Sequence, residues 1–176
     1  MLKLPFILFI TGVSGAGKTT VLKQLCSKLA QQSVGCFHFD SIGVPSVEQM
    51  IQEYGGPSQW QQAMTEKWVN DLLSNHQDEK LLILEGQVNL DFIKNACAKH
   101  NFKNYEIILI HCDDAIRHKR LRINRNQPEL VNQDMDNWAH FLHRQAQQRN
   151  VTILDSGRLA VAQIVNKIVS MVQNHG

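Results

Sequence analysis

The residues best suited to chemistry lie near the start of the chain, where residues 12–19 read Gly-Val-Ser-Gly-Ala-Gly-Lys-Thr. This segment matches the phosphate-binding pattern G-x-x-x-x-G-K-[ST] at every fixed position. Its glycines allow consecutive backbone N–H groups to turn toward one anion, and the following helix adds a positive dipole end. In this pattern Lys18 reaches the β- and γ-phosphates of a nucleotide and the Thr19 hydroxyl binds Mg²⁺.

The predicted nucleotide-binding residues of this loop are therefore Gly12, Ser14, Gly15, Ala16, Gly17, Lys18, Thr19 and Thr20. The alternative interpretation is a glycine-rich turn between a strand and a helix that carries a lysine without binding phosphate.

Polar side chains follow the next two predicted strands. Asp40 directly follows the strand predicted at 36–39. Glu85 directly follows the one predicted at 81–84, with Gln87 two residues later. Ligands of parallel sheets bind beyond the carboxyl ends of the strands, so these side chains are candidates for acceptor or metal binding. Asp40 could instead cap a turn, and Glu85 could form a structural salt bridge to a cation of the lid or the phosphate loop.

Five basic residues crowd the segment after the fourth predicted strand: Arg117, Lys119, Arg120, Arg122 and Arg125. Phosphoryl transfer needs cations on the equatorial oxygens of the transferred group, and a planar guanidinium suits this task. The alternative is a solvated basic helix face, above all for Lys119 and Arg122.

Strand and helix patterns alternate along the chain, which predicts βαβ crossovers and a parallel sheet with helices on both faces. Strands are predicted at 6–11, 36–39, 81–84, 106–110 and 151–154, and helices at 18–32, 90–100, 113–125, 134–149 and 159–174. An insertion at 41–78 carries Trp60, Met64 and Trp68 at helical spacing. These three side chains either line an acceptor pocket or pack that segment onto the core.

Composition limits the classes of function. The 176 residues predict one domain, 1–176, and a net charge of +2 argues against a protein that coats nucleic acid or membranes through bulk charge. The longest apolar run is too short for a membrane span, and the small residues after the apolar start belong to the phosphate loop rather than to a signal peptide. The four scattered cysteines predict buried, unpaired thiols in a reducing compartment, and we expect a cytoplasmic protein.

Several motifs together resemble the nucleoside monophosphate kinase-like kinases, with shikimate, gluconate and adenylate kinases as examples. The shared features are the loop form G-x-S-G-x-G-K-T, an Asp after strand two, the arginine-rich helix, and Leu154-Asp155-Ser156 before the last helix. The resemblance implies a three-layer fold with sheet order 2-3-1-4-5. It also implies a lid at about 125–133 and an acceptor-binding segment at 41–78.

The resemblance implies roles for individual residues as well. Asp40 would orient the acceptor hydroxyl, accept its proton or help hold Mg²⁺ through water. Arg120 would stack on adenine, Arg125 would reach phosphate from the lid, and Ser156 would lie at the adenine edge. Glu85 and Gln87 would contact the acceptor.

The function predicted from these residues is ATP- and Mg²⁺-dependent transfer of the γ-phosphoryl group to a small hydroxylated or phosphorylated metabolite. Lys18, Asp40, Arg120 and Arg125 would carry catalysis. A nucleotide-binding regulatory protein with slow ATPase activity is the main alternative. A kinase of nucleic-acid 5′-hydroxyls has less support, because the charge balance offers little for strand binding. Oligomeric state cannot be read from the sequence.

Overall fold

A five-stranded parallel sheet organises the protein, with strand order β2-β3-β1-β4-β5. The computed structural model describes residues 5–173. Its strands are β1 (Phe6–Thr11), β2 (Val34–His38), β3 (Leu81–Gly86), β4 (Tyr105–His111) and β5 (Thr152–Asp155). This confirms the predicted α/β fold and the sheet order that the resemblance implied. The predicted domain 1–176 and the predicted helix end at 174 extend beyond the described residues.

Every residue of the central strands β1 and β3 is buried, so both faces of the sheet are covered by helices. Such strands need largely apolar sequence, which 6–10 and 81–84 supply before the polar Thr11 and Glu85. The helix α1 packs against α7, and α4 packs against α3 and α6. The α-helices are α1 (Lys18–Lys28), α2 (Val47–Tyr54), α3 (Pro57–Asn75), α4 (Leu90–Lys99), α5 (Asp114–Lys119), α6 (Gln133–Gln148) and α7 (Val161–Gln173).

Four strand ends differ from the prediction: β4 and β5 each end one residue later, at His111 and Asp155, and the ends of β2 and β3 bear on the site. β2 ends at His38 rather than at 39, and Asp40 lies in a 3-10 helix, Phe39–Ile42. The chain leaves the sheet here because the Ser41 hydroxyl donates a hydrogen bond to the His38 carbonyl and the Trp68 indole N–H donates to the Phe39 carbonyl. β3 continues through Gly86, so Glu85 is part of the strand and not the residue that follows it.

The predicted helix at 113–125 is divided in the structure. After α5 the chain widens into a π-helical turn, Arg120–Asn124, in which the Arg125 N–H donates to the Arg120 carbonyl five residues earlier. A short 3-10 helix, Pro128–Leu130, follows before α6. Single π turns of this kind occur often at functional sites, and this one begins at the arginine predicted to contact nucleotide.

The prediction that all four cysteines are unpaired is wrong for two of them. Cys26 of α1 and Cys36 of β2 form a disulfide, whereas Cys97 and Cys112 are free and buried. Helical and strand spacing cannot reveal that these two side chains meet, because the contact depends on how α1 packs against the sheet. Burial raises the pKa of the Cys97 thiol to about 12, so it stays protonated as a small core residue. Within residues 5–173 no helix is long and apolar enough to cross a membrane.

Candidate active site

The phosphate loop connects β1 to α1 at the carboxyl edge of the sheet. Gly12 has φ +146°, and a Cβ there would lie 2.3 Å from the Ile110 carbonyl oxygen, so only glycine fits between the loop and β4. Gly17 has φ +101° and precedes the first residue of α1. The left-handed turn ends at the helix N-terminus, where free N–H groups and the helix dipole attract an anion.

Lys18 is buried at the base of this loop and its ammonium donates to the Val13 carbonyl at 3.2 Å. Burial lowers the pKa of Lys18, and the Arg125 charge lowers it further, whereas Glu85 and Asp40 act in the opposite direction. A buried cation that has one neutral hydrogen-bond partner gains most from an anion that enters the loop.

A cavity of about 440 Å³ opens beside the loop, and it collects most of the predicted nucleotide-binding residues. Its lining contains Gly15, Gly17, Lys18, Thr19, Thr20, Arg120, Arg125 and Ser156, together with Val21, Asn124 and Val161. Ala16, a member of the loop, is fully buried. Asp40, Glu85 and Gln87 are not in this lining, so the predicted nucleotide and acceptor residues occupy separate places around Lys18.

Arg120 joins the phosphate loop to the end of β5. Its guanidinium donates to the Ser156 hydroxyl at 2.9 Å and to the Ser156 carbonyl at 2.7 Å. It also donates to the carbonyls of Gly15 and Ala16, both at 3.4 Å, and Ser156 in turn donates to Ala16 at 2.6 Å. In this structure Arg120 therefore supports the loop backbone while it lines the cavity.

Arg117 does not face the cavity. It is fully buried behind the loop, where its guanidinium pairs with Asp136 and, at 3.4 Å, with Asp114. His118 contacts the same Asp136 oxygen at 2.8 Å. Burial alone would raise the pKa of Asp136, but His118 and Arg117 lower it overall. Arg117 thus ties the helix before the predicted lid to the helix after it, while Lys119, Arg122 and Arg125 are exposed.

Glu85 lies outside the cavity lining but contacts one of its residues, Thr19. Its Oε1 is 3.4 Å from the Thr19 hydroxyl, which donates to it, and 2.8 Å from His38 Nδ1. Glu85 is 7% exposed, and its Oε2 is buried with no hydrogen-bond partner among the described residues. A buried carboxylate oxygen left unpaired is costly, so this atom is expected to have a ligand in the working protein.

Gln87 also reaches the loop, because its amide donates to the Ser14 hydroxyl at 2.8 Å. The Gln87 backbone carbonyl accepts a hydrogen bond from the side-chain amide of Gln61 in α3, and this contact links the insertion to the loop. Asp40 is exposed, and its charge acts on Lys18. Trp60 and Trp68 are buried against the core and not free in the cleft; Trp68 donates its indole N–H to Phe39.

His38 is the site residue that the sequence analysis missed. In the parallel register it stands opposite Glu85, on the strand next to β3. A polar residue at the carboxyl end of a predicted strand was the available signal, but the predicted strand end at 39 directed attention to Asp40 instead. The adjacent pairing of β2 and β3 had to be known before His38 and Glu85 could be linked.

Comparisons with known proteins agree with the fold described above. A shikimate kinase from Acinetobacter baumannii, in complex with shikimate, matches with a TM-score of 0.63 and 15% identity over 98% of this chain and 95% of that chain. A shikimate kinase from Bacteroides thetaiotaomicron matches with a TM-score of 0.59 and 18% identity over 96% and 98%. The tunicamycin resistance protein of Deinococcus radiodurans matches with 0.64 and 17% over 96% and 95%.

No curated protein sequence matches the chain significantly. Residues 8–137 match the model of a protein family described as AAA domain, a stretch that contains the phosphate loop, the insertion and the start of α6. The likeness to the nucleoside monophosphate kinase-like group is thereby confirmed in fold, and the chain belongs to this AAA domain family.

Proposed function

We propose that the protein is an ATP- and Mg²⁺-dependent phosphotransferase that moves the γ-phosphoryl group to a small hydroxylated or phosphorylated metabolite. The observation that carries this proposal is the division of the site around Lys18. A cavity lined by cations and loop residues lies on one side, and the carboxylates of Glu85 and Asp40 act on Lys18 from outside that lining. A phosphotransferase needs both a phosphate-donor site and a separate polar acceptor site.

On the nucleotide side, the loop N–H groups and Lys18 would hold the phosphates, and Thr20 and Ser156 would contact the nucleotide. Arg120 and Arg125 line the same cavity and would neutralise the charge that spreads over the transferred group. Because Arg120 also bonds to the Gly15 and Ala16 carbonyls, it would keep the loop in its binding conformation.

The residues beside Thr19 fit a magnesium ion. Mg²⁺ prefers oxygen ligands, and the unpartnered Glu85 Oε2 lies on the residue whose other oxygen contacts the Thr19 hydroxyl. Thr19 would hold the ion, with Glu85 and the exposed Asp40 contributing through water. When bound, the ion neutralises negative charge on the β- and γ-phosphates.

On the acceptor side, Asp40 would orient the acceptor oxygen and Glu85 and Gln87 would line its site. In the transfer, the bond between the γ-phosphorus and the oxygen bridging to the β-phosphate breaks and a bond from the acceptor oxygen to that phosphorus forms. ADP leaves, and an acceptor hydroxyl proton passes to the Asp40 carboxylate and then to solvent. The segments 41–78 and 125–133 would form the acceptor insertion and the lid.

The proposal is tested with a thermal-shift screen of candidate acceptors in the presence of a non-hydrolysable ATP analogue. Compounds that raise the midpoint beyond the analogue alone are then assayed with ATP for ADP release and, by phosphorus NMR, for a phosphorylated product. Shikimate, the compound bound to the Acinetobacter baumannii protein, is a reasonable first member of the panel.

We expect at least one hydroxylated or phosphorylated compound to give stoichiometric ADP and phosphorylated product. Tight ATP binding with slow release of inorganic phosphate and no acceptor product would instead support the regulatory ATPase. Product formed only on oligonucleotides, and suppressed by added salt, would support the nucleic-acid kinase.

A further inference from the structure

His38 and Glu85 form a pair between neighbouring strands whose partners differ in exposure. The His38 side chain is 53% exposed, whereas the Glu85 side chain is 9% exposed. The distance of 2.8 Å between Nδ1 and Oε1 requires a proton between them, and a carboxylate oxygen is the natural acceptor. His38 therefore carries its proton on Nδ1 when it donates to Glu85.

The two oxygens of Glu85 have different surroundings. Oε1 receives hydrogen bonds from His38 and, at longer distance, from Thr19. Oε2 has no partner in the described part of the chain. The short bond from His38 is the strongest contact that fixes the carboxylate, so it sets the direction in which Oε2 points.

The Lys18 ammonium is a competing partner for the Glu85 carboxylate. Among residues 5–173, Glu85 is the negative charge that acts most strongly on Lys18, and the ammonium donates there to the neutral Val13 carbonyl. Without the bond from His38, rotation of the Glu85 side chain toward Lys18 would form a buried ion pair. That pair would hold the Lys18 ammonium away from the phosphates, and it would hold the Glu85 carboxylate away from Thr19.

We propose that His38 is a positioning residue that holds Glu85 Oε1 and thereby keeps Oε2 available for Mg²⁺ that enters with the nucleotide. The inference rests on the proposed MgATP binding and adds to it the residue that orients the carboxylate. Groups that orient a metal-binding side chain typically change metal affinity about 10- to 100-fold when they are removed.

Isothermal titration calorimetry with a non-hydrolysable ATP analogue tests this, with each protein measured in excess Mg²⁺ and in EDTA. For His38→Ala we expect affinity in Mg²⁺ to fall about 10-fold, with affinity in EDTA changed less than about 2-fold. His38→Asn should restore affinity, because its amide nitrogen is the same number of bonds from Cα as Nδ1. His38→Gln should not, because its amide nitrogen lies one bond farther out. His100→Ala, which removes an exposed histidine at the end of α4, is the matched control.

Three outcomes would overturn the inference: equal losses in Mg²⁺ and EDTA, no loss in either, or a His38→Asn variant as weak as His38→Ala. An unchanged thermal midpoint in His38→Ala alongside a selective loss in Mg²⁺ would support it. If the unmodified protein binds the analogue equally well with and without Mg²⁺, the magnesium part of the proposed function fails as well. If it shows the Mg²⁺ preference but His38→Ala does not alter it, only the role of His38 fails.

Discussion

Two cavities of similar size open at opposite edges of the sheet. The cavity at the carboxyl edge measures about 440 Å³ and is lined by the phosphate loop. The one at the amino edge is larger, about 550 Å³, and is lined by the end of α4, the starts of β4 and β5, and three cations: Lys94, Lys103 and Arg149. Each lining contains three cations, and the amino-edge lining also contains Glu106, so cavity size is the one feature that would favour the amino edge.

The cations at the two edges have different neighbours. At the amino edge α4 and α6 end, so their partially negative carbonyl ends face the cations, and Arg149 is paired with Asp91 at 2.9 and 3.0 Å. At the carboxyl edge Lys18 is buried beside the N-terminus of α1, where positive groups converge. A buried cation at a helix N-terminus, rather than cavity volume, identifies the anion site.

The largest expected difference between the edges concerns their lysines. Lys18→Ala should weaken ATP binding about 100-fold, because truncating one partner of a buried charge pair costs about 3 kcal/mol. Lys94→Ala, its counterpart at the amino edge, should leave ATP affinity within about 2-fold. Calorimetric titration of both variants measures the contrast, and an intact ATP affinity in Lys18→Ala would reverse the assignment of the two edges.

A second contrast concerns backbone conformation. Gly12→Ala should lower the free energy of unfolding by about 2 to 3 kcal/mol, because the added methyl group would collide with the Ile110 carbonyl. Asn150 at the amino edge also has positive φ, 53°, but Asn150→Gly should change stability by less than about 1 kcal/mol. Urea unfolding compares the two, and equal tolerance at both positions would contradict the close approach of loop and β4.

The third contrast tests whether Arg120 supports the loop. Arg120→Ala should weaken ATP binding about 10-fold, since hydrogen bonds from a charged donor are worth about 1.5 to 3 kcal/mol each and solvent replaces part of the loss. Arg120→Lys should recover only part of the affinity, because a lysine cannot reproduce the guanidinium fork that holds Ser156 and the loop carbonyls. The exposed neighbour Arg122, changed to Ala, provides the control. Full recovery in Arg120→Lys would show that charge alone suffices.

The smallest effect is expected for the ion pair at the amino edge. Arg149→Ala should lower stability only slightly at neutral pH and leave ATP affinity unchanged, as is usual for an exposed pair. Arg149 lowers the pKa of Asp91 from 3.8, so the pair stabilises the protein above pH 3.8 and this contribution is lost as the pH falls below that value. Urea unfolding at pH 7 and pH 3 should therefore show the two proteins converging in acid. A gap that widens in acid would contradict the role of Asp91.

Local pattern was sufficient for the features that depend on neighbours in sequence. The loop at 12–19 is recognisable because its glycines, lysine and threonine act through spacing along one short segment. The strand Phe6–Thr11 was predicted with its observed bounds, since a strand buried on both faces is largely apolar. The end of β2 was misplaced because hydrophobicity continues through Phe39, whereas the carbonyl contacts that end the strand come from Ser41 and Trp68.

The sequence by itself determined a phosphate loop on a parallel α/β sheet, because those features follow from residue type and short-range spacing. Only the tertiary structure decided which charges face the cleft: Arg117, predicted with the other basic residues, is buried with Asp136, and His38 is placed against Glu85. The Cys26–Cys36 disulfide was likewise decided by the tertiary structure. Each of these contacts joins separate elements, so the packing of helices on the sheet and the order of its strands had to be settled before the residues could meet.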